Sequence, residues 1–332
     1  MAFWIVVFAG CALVIAFAGW RLTLAVDTIA DRTGVGRAFL GMILVATVTS
    51  LPELSTGLSA VLVVRSADIA VGDVVGSCVF NLLLFVLADV ASGKRAFYGA
   101  LSASHFLTAA ASIVLVGVVA LAILTPISSF AVAHVGAVSF ALVLLYLGAA
   151  RLLYAVETRA TPALDAPDRS GRAPLGAAIV QCIVAGLAVT AGGALIAVSA
   201  GEISERLELA QSFVGVVFVG AATSLPEAVS VIAAIRLKAY DLAAGNLLGS
   251  NMFNVLILVA DDIAYLDGPI LEAAVPSLAL APIVAMVMTG VVIVAIGYGQ
   301  RTRLAPVDAA AGLALTLLFA FNTYLAATGV GP

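Results

Sequence analysis

The chain runs to 332 residues, 63% of them hydrophobic and only 10% charged, with a formal net charge of −4. A soluble domain carries about 25% charged residues, so most of this chain belongs in lipid. No basic tract offers itself to nucleic acid, and neither an enzymatic role, a cofactor nor an obligate protein partner is expected.

In chain order, ten apolar stretches approach the ~20 residues that a bilayer core requires. They cover approximately 2–26, 37–64, 69–91, 100–124, 130–154, 174–200, 211–237, 242–264, 272–296 and 305–328. The first lacks the basic n-region of a signal peptide and has a counterpart at 174–200. It reads as a spanning helix.

The second stretch carries Thr49-Ser50-Leu51-Pro52-Glu53 inside an otherwise apolar run. A carboxylate in mid-membrane marks an ion or proton pathway. Pro52 has no N–H and its ring clashes with the preceding turn, which frees carbonyls near Val48 and divides the helix in two. Thr49, Ser50, the freed carbonyls and Glu53 then supply oxygen donors alone, as hard cations require.

In the third helix Asp73, Ser77 and Asn81 form one stripe at i, i+4 and i+8, while Gly72 and Gly76 permit close approach of a neighbour. Asp73 is expected about 12 Å from Asn81 along the axis, attracting cations into an outward-facing vestibule. Asp68 and Asp241 are expected to be N-caps. Asp89 and Asp262 are expected to be solvated near helix ends, and Asp261, Asp267 and Glu272 to form ordinary surface. Cys11, Cys78 and Cys182 read as small buried hydrophobes. His105 and His134 read as isolated, with no zinc cluster.

The polar interval after the fifth stretch divides the chain into a first five-helix repeat (1–155), a linker (156–173) and a second five-helix repeat (174–332). Of the 15 basic residues, all but Arg65 and Arg206 fall on one side of a ten-span alternation. The positive-inside rule therefore predicts a cytoplasmic linker and both termini outside.

Thr223-Ser224-Leu225-Pro226-Glu227 repeats the motif of the first half at an offset of 174, and Gly245 to Asn254 repeats Gly72 to Asn81 at an offset of 173. The one-residue slip is expected in the short loop between the paired helices. Asn246, Ser250 and Asn254 renew the polar stripe. Five spans per half is an odd number, so the second half enters the membrane from the opposite side. The predicted fold is all-α and polytopic: ten transmembrane helices in two inverted five-helix repeats, with substrate at the midplane between them.

SLPE followed by a G-N/D-x-x-G-S-x-x-x-N helix, twice and inverted, resembles the two α-repeats of the sodium/calcium exchanger family, within the cation/Ca2+ antiporter superfamily. The repeats would occupy 39–91 and 213–264. The resemblance implies a central metal site ringed by Glu53, Asn81, Glu227 and Asn254. It also implies flanking sodium sites completed by Thr49, Ser50, Ser77, Thr223, Ser224 and Ser250, with carbonyls at Ala46 and Gly220. Asp73 and Asn246 would stand on the ion pathway or behind the ligands. The sequence departs from the family pattern at Val48 and Ala222, where Gly is usual, at Cys78 in place of the Asn of GSN, and at Asp73 where GN is frequent.

The function so implied is secondary antiport of Na+ against Ca2+ by alternating access, with protons competing for the buried acids. Calcium/proton exchange is the alternative, and a cation channel a more distant one. The related proton-coupled branch keeps the acid without a Thr-Ser pair, and a potassium-dependent branch tends to carry Asp where Asn254 stands. In the family the first and sixth helices move against the remaining core, and Gly10, Gly19, Gly186, Gly192 and Gly193 would permit sliding there. Short loops suggest a prokaryotic inner membrane.

Overall fold

Runs of about 20 apolar residues must satisfy their backbone polar groups internally once in lipid, and the helix is the structure that does so within one segment. A computed structural model describes residues 2–33, 46–93, 97–129, 131–160, 174–236, 238–302 and 305–328. Expectations that fall on 34–45 and on the linker from 161 to 173 lie outside the described residues. Among the described residues ten helices are long and apolar enough to span: α1 (Ala2–Leu22), α2 (Ala46–Val64), α3 (Ala67–Ser92), α4 (Ser104–Leu124), α5 (Ala137–Val156), α6 (Leu175–Leu207), α7 (Gln211–Arg236), α8 (Tyr240–Ala264), α9 (Pro276–Gly299) and α10 (Ala309–Thr328). The protein is an integral, multi-pass membrane protein.

Several boundaries differ from expectation: the first helix runs on to Thr33 rather than 26, and the sixth to Leu207 rather than 200. The fifth helix begins at Ala137 rather than near 130, because a small antiparallel hairpin precedes it: β1 (Ala131–Val132) and β2 (Val135–Gly136). The ninth span begins at Pro276, since Ala274 and Val275 are extended, as residues leading into proline tend to be.

The arrangement is a centre of α2, α3, α7 and α8 with the other helices around it. α1 and α6 lie along each other; α6 also packs on α2, and α1 on α7. The outer faces of this pair carry exposed apolar side chains, among them Phe3, Leu13 and Phe17 on α1 and Val180, Val184 and Leu187 on α6. In a bilayer that surface meets lipid tails. On the opposite flank α9 packs against α3, α4 and α10, and α5 against α4 and α8.

Glycines fix the closest approaches. A Cβ at Gly76 of α3 would collide with the Val216 backbone of α7, and one at Gly220 of α7 would lie 2.8 Å from the Ser77 backbone nitrogen. Backbone thus touches backbone where α3 crosses α7. A Cβ at Gly19 of α1 would stand 2.5 Å from Pro226 Cβ, and one at Gly193 of α6 would stand 2.8 Å from the Pro52 carbonyl oxygen. These two glycines are themselves 174 residues apart, so each broken helix rests on the glycine of a flanking helix. Gly10 and Gly186 face open space instead.

The one-residue slip lies in a helix, not in a loop. The last turn of α2, Ala60–Val64, is a π-helix closed by Arg65 in the left-handed region (φ 63°), and only Arg65 and Ser66 separate it from α3. In the second repeat, Leu225–Arg236 is an uninterrupted α-helix. A π-turn accommodates an extra residue without breaking the helix.

Several polar residues sit differently from expectation. Ser66, not Asp68, caps α3, its hydroxyl accepting from Ile69 N–H; Asp68 accepts from Val275 N–H at 2.9 Å. Asp241 accepts from Ser102 N–H at 2.7 Å and pairs with His105 Nε2 at 3.0 Å, so His105 is not isolated. Asp262 is buried rather than solvated and ties three segments together. It accepts from Gly136 N–H at 2.8 Å, Ser139 Oγ–H at 2.5 Å and Ile270 N–H at 2.7 Å.

Candidate ion-binding site

The two SLPE segments fold alike because proline imposes the same break on each. Ser50 and Ser224 end one helical stretch with near-identical backbone angles, φ −87° and ψ 9° against φ −81° and ψ 9°. Pro52 and Pro226 cannot supply the N–H that would bond to the carbonyls of Val48 and Ala222. Glu53 and Glu227 fall in the first turn of the next half-helix, where the helix dipole favours negative charge.

The two breaks interlock across the repeats. Ser224 Oγ donates to Glu53 Oε1 at 3.4 Å, and Ser50 Oγ donates to Glu227 Oε1 at 3.4 Å. Ser250 Oγ lies 3.2 Å from the same Glu227 oxygen. One layer further out, Thr49 Oγ1 lies 3.4 Å from Asn246 Oδ1, and Thr223 Oγ1 lies 2.9 Å from Asp73 Oδ1. Ser77 Oγ lies 3.2 Å from the Thr223 hydroxyl and 3.3 Å from the Gly220 carbonyl. The carbonyl of Ala46 accepts from Ser50 N–H at 3.0 Å, and that of Gly220 from Ser224 N–H at 3.3 Å. Both carbonyls lie at the breaks, each already taking a protein donor.

Where α3 crosses α8 the amide nitrogens of Asn81 and Asn254 face protein partners and their amide oxygens do not. Asn81 Nδ2 donates to Asn251 Oδ1 at 3.0 Å, Asn251 Nδ2 donates to the Cys78 carbonyl at 3.1 Å, and Asn254 Nδ2 faces Cys78 Sγ at 3.9 Å. Asn81 Oδ1, Asn254 Oδ1, Glu53 Oε2 and Glu227 Oε2 are left buried with no hydrogen-bond partner. All four side chains are 0% exposed. Leaving a buried polar atom unpaired costs about 1–3 kcal/mol. Four such atoms, one from each of α2, α3, α7 and α8, all hard oxygens and two of them carboxylate, are the donor types a hard cation takes.

Each candidate site side chain from Thr49 to Asn254 thus lies on α2, α3, α7 or α8 within the central crossing. Asp73 differs from expectation: it is 0% exposed and bonded to Thr223, not open to a vestibule. Close backbone contact at Gly72 and Gly76 seals that part of α3 against α7. One contributor was not singled out from sequence. Asn251 orients Asn81, and its place in GSN was the available signal. Asp261, expected at the surface, is 0% exposed.

The fold is that of a ten-span membrane protein built of two inverted repeats. The profile of the family described as sodium/calcium exchanger protein matches residues 3–155 and 177–328. The chain belongs to that family. The inner membrane protein YrbG of Escherichia coli (strain K12) is 27% identical over 260 residues, covering 74% of this chain and 75% of that protein. The sodium-calcium exchanger NCX_Mj soaked with 2.5 mM Na+ and 10 mM Sr2+ superposes with a TM-score of 0.63 at 19% identity, covering 96% of this chain and 97% of the other. The same exchanger soaked with zero Na+ and Ca2+ gives a TM-score of 0.61 at 19% identity, covering 96% and 98%. At that identity the likeness is one of fold.

Proposed function

We propose that the protein is a secondary antiporter that exchanges Na+ for Ca2+ across the membrane by alternating access. The observation that carries the reading is the set of four buried, unpartnered oxygens of Glu53, Asn81, Glu227 and Asn254. Two carboxylates give this set a charge of −2, which one Ca2+ neutralises. Sodium ions use the same acids and spread to flanking positions at Thr49, Ser50 and Ser250, and at Ser77, Thr223 and Ser224, with the carbonyls of Ala46 and Gly220. The two cargoes therefore compete, and competition at one site is what couples opposed fluxes. Every hydroxyl named is fully buried, so cations enter only when helices move. The family resemblance makes α1 and α6 the elements that slide, and the close contacts of Gly19 with Pro226 and Gly193 with Pro52 suit that role. The cargo ions are substrates, and no cofactor enters this account.

The basic residues orient the molecule with the 156–173 linker in the cytoplasm and both termini outside. The YrbG relative is named an inner membrane protein, which agrees with a prokaryotic inner membrane as the location. The test is radiocalcium uptake into proteoliposomes under an outward sodium gradient, repeated with a proton gradient alone. Uptake that follows sodium supports this reading. Uptake driven equally well by protons would support calcium/proton exchange, and passage of calcium with no countercation gradient would support a channel.

A further inference from the structure

Asp261 stands outside the ion site just described, and nothing in the exchange mechanism uses it. It lies on α8 seven residues beyond Asn254, is 0% exposed, and neither carboxylate oxygen has a hydrogen-bond partner. Its neighbour Asp262 shows how this fold satisfies a structural acid, with three donors. Asp261 has none. Its carboxylate lies against Gly57 of α2, where any Cβ would collide with both oxygens. Gly57 is one helical turn, about 6 Å of rise, beyond Glu53. The gap left by that missing side chain is what admits the acid. The corresponding position of the first repeat is Ala88, so the feature belongs to the second half alone.

We propose that Asp261 is a proton-binding site linked to the cation site: it holds a proton while the central oxygens lack a cation and yields it when one binds. A proton needs only one oxygen, whereas a metal cation needs about six, and Asp261 brings two oxygens against a glycine. Among the described residues the surroundings supply no countercharge. Asp73 on α3 and Asp262 on its own helix are the acids acting on it. The helices packed against α8 also carry Glu53 on α2, Glu227 on α7 and the Cys78 thiol on α3. His105 on α4 is engaged with Asp241 near the other end of α8, and His134 of the hairpin meets the Ile263 carbonyl. In so apolar a setting the neutral acid is the stable form. A cation arriving near Glu53, one turn along α2 from the Gly57 that Asp261 touches, stabilises the ionised form instead, and by linkage the proton opposes cation binding.

This inference rests on the cation-exchange reading, and the experiment separates the two. Purified protein in weak buffer is titrated with CaCl2 while a pH indicator reports released protons. Wild type is expected to release about one proton more per bound Ca2+ than Asp261→Asn, and acid inhibition of calcium flux should weaken in the variant while sodium-dependent exchange persists. Equal release by the two proteins overturns the proton site and leaves the exchanger reading intact. Failure of wild type to bind Ca2+ overturns the exchanger reading itself. Should Asp261→Asn not fold, infrared difference spectra of wild type with isotope-labelled aspartate carboxyls decide the matter. A protonated-aspartate band that disappears with Ca2+ supports the proposal, and the absence of any such band overturns it.

Discussion

At the scale of single residues, charge and geometry make separable demands. Two unit charges 4 Å apart attract by about 4 kcal/mol at an effective dielectric near 20. Glu53→Gln or Glu227→Gln removes one such charge from the Ca2+ site while keeping its shape. The ion is divalent, which doubles the unit-charge figure, so each should lower Ca2+ affinity at least about a thousandfold and abolish exchange, as read by calorimetric titration and by radiocalcium flux. Ser77→Ala and Ser250→Ala leave both carboxylates in place. They should weaken sodium activation several-fold with a smaller change in Ca2+ binding; equal losses for both ions would mean that the two serines only brace the helices. The acids and amides of this site were legible because they recur at fixed spacing in two halves. What escaped the sequence was their pairing. Nothing in the spacing says that Ser50 reaches Glu227 rather than Glu53, and Asp73 reads as an open-path acid until its bond to Thr223 is seen. Asp261 escaped because charge near the end of an apolar run reads as a membrane edge, whereas tertiary packing against Gly57 buries it.

At the scale of elements, the glycines decide how the broken helices are held. Gly76→Ala would drive a methyl group into the Val216 backbone, which cannot swing aside as a side chain can. Overpacking of this kind costs about 1–3 kcal/mol, so the variant should lose thermal stability in detergent and in lipid alike. Gly19→Ala and Gly193→Ala press instead on the proline breaks of α7 and α2. Each should slow turnover more than it weakens equilibrium Ca2+ binding, a difference measured by comparing flux with titration. Loss of binding in proportion to flux would deny α1 and α6 a moving role. Helix existence was plain from hydropathy, since each span is a long apolar run. Helix ends were less so, because local features set them. The hairpin at Ala131–Gly136 and the extended residues before Pro276 shorten two expected spans, and the π-turn Ala60–Val64 takes up the slip assigned to a loop.

At the scale of the whole molecule, the two halves place like motifs face to face, and each half completes the site of the other. Glu53 depends on Ser224, Glu227 on Ser50, and Asn81 on Asn251. Neither half alone holds all four free oxygens, so the site forms only when both repeats are assembled. Its asymmetry is as telling as its symmetry: Asp73 faces Thr223 where Asn246 faces Thr49, which gives the two flanking positions different charge. The most direct measurement of the central claim is the position of a bound divalent cation, read from anomalous diffraction of crystals soaked in Sr2+ with and without excess Na+. The account predicts one Sr2+ peak ringed by Glu53, Asn81, Glu227 and Asn254, displaced as sodium rises. A divalent cation bound elsewhere, or a peak at this site that sodium does not displace, would contradict it.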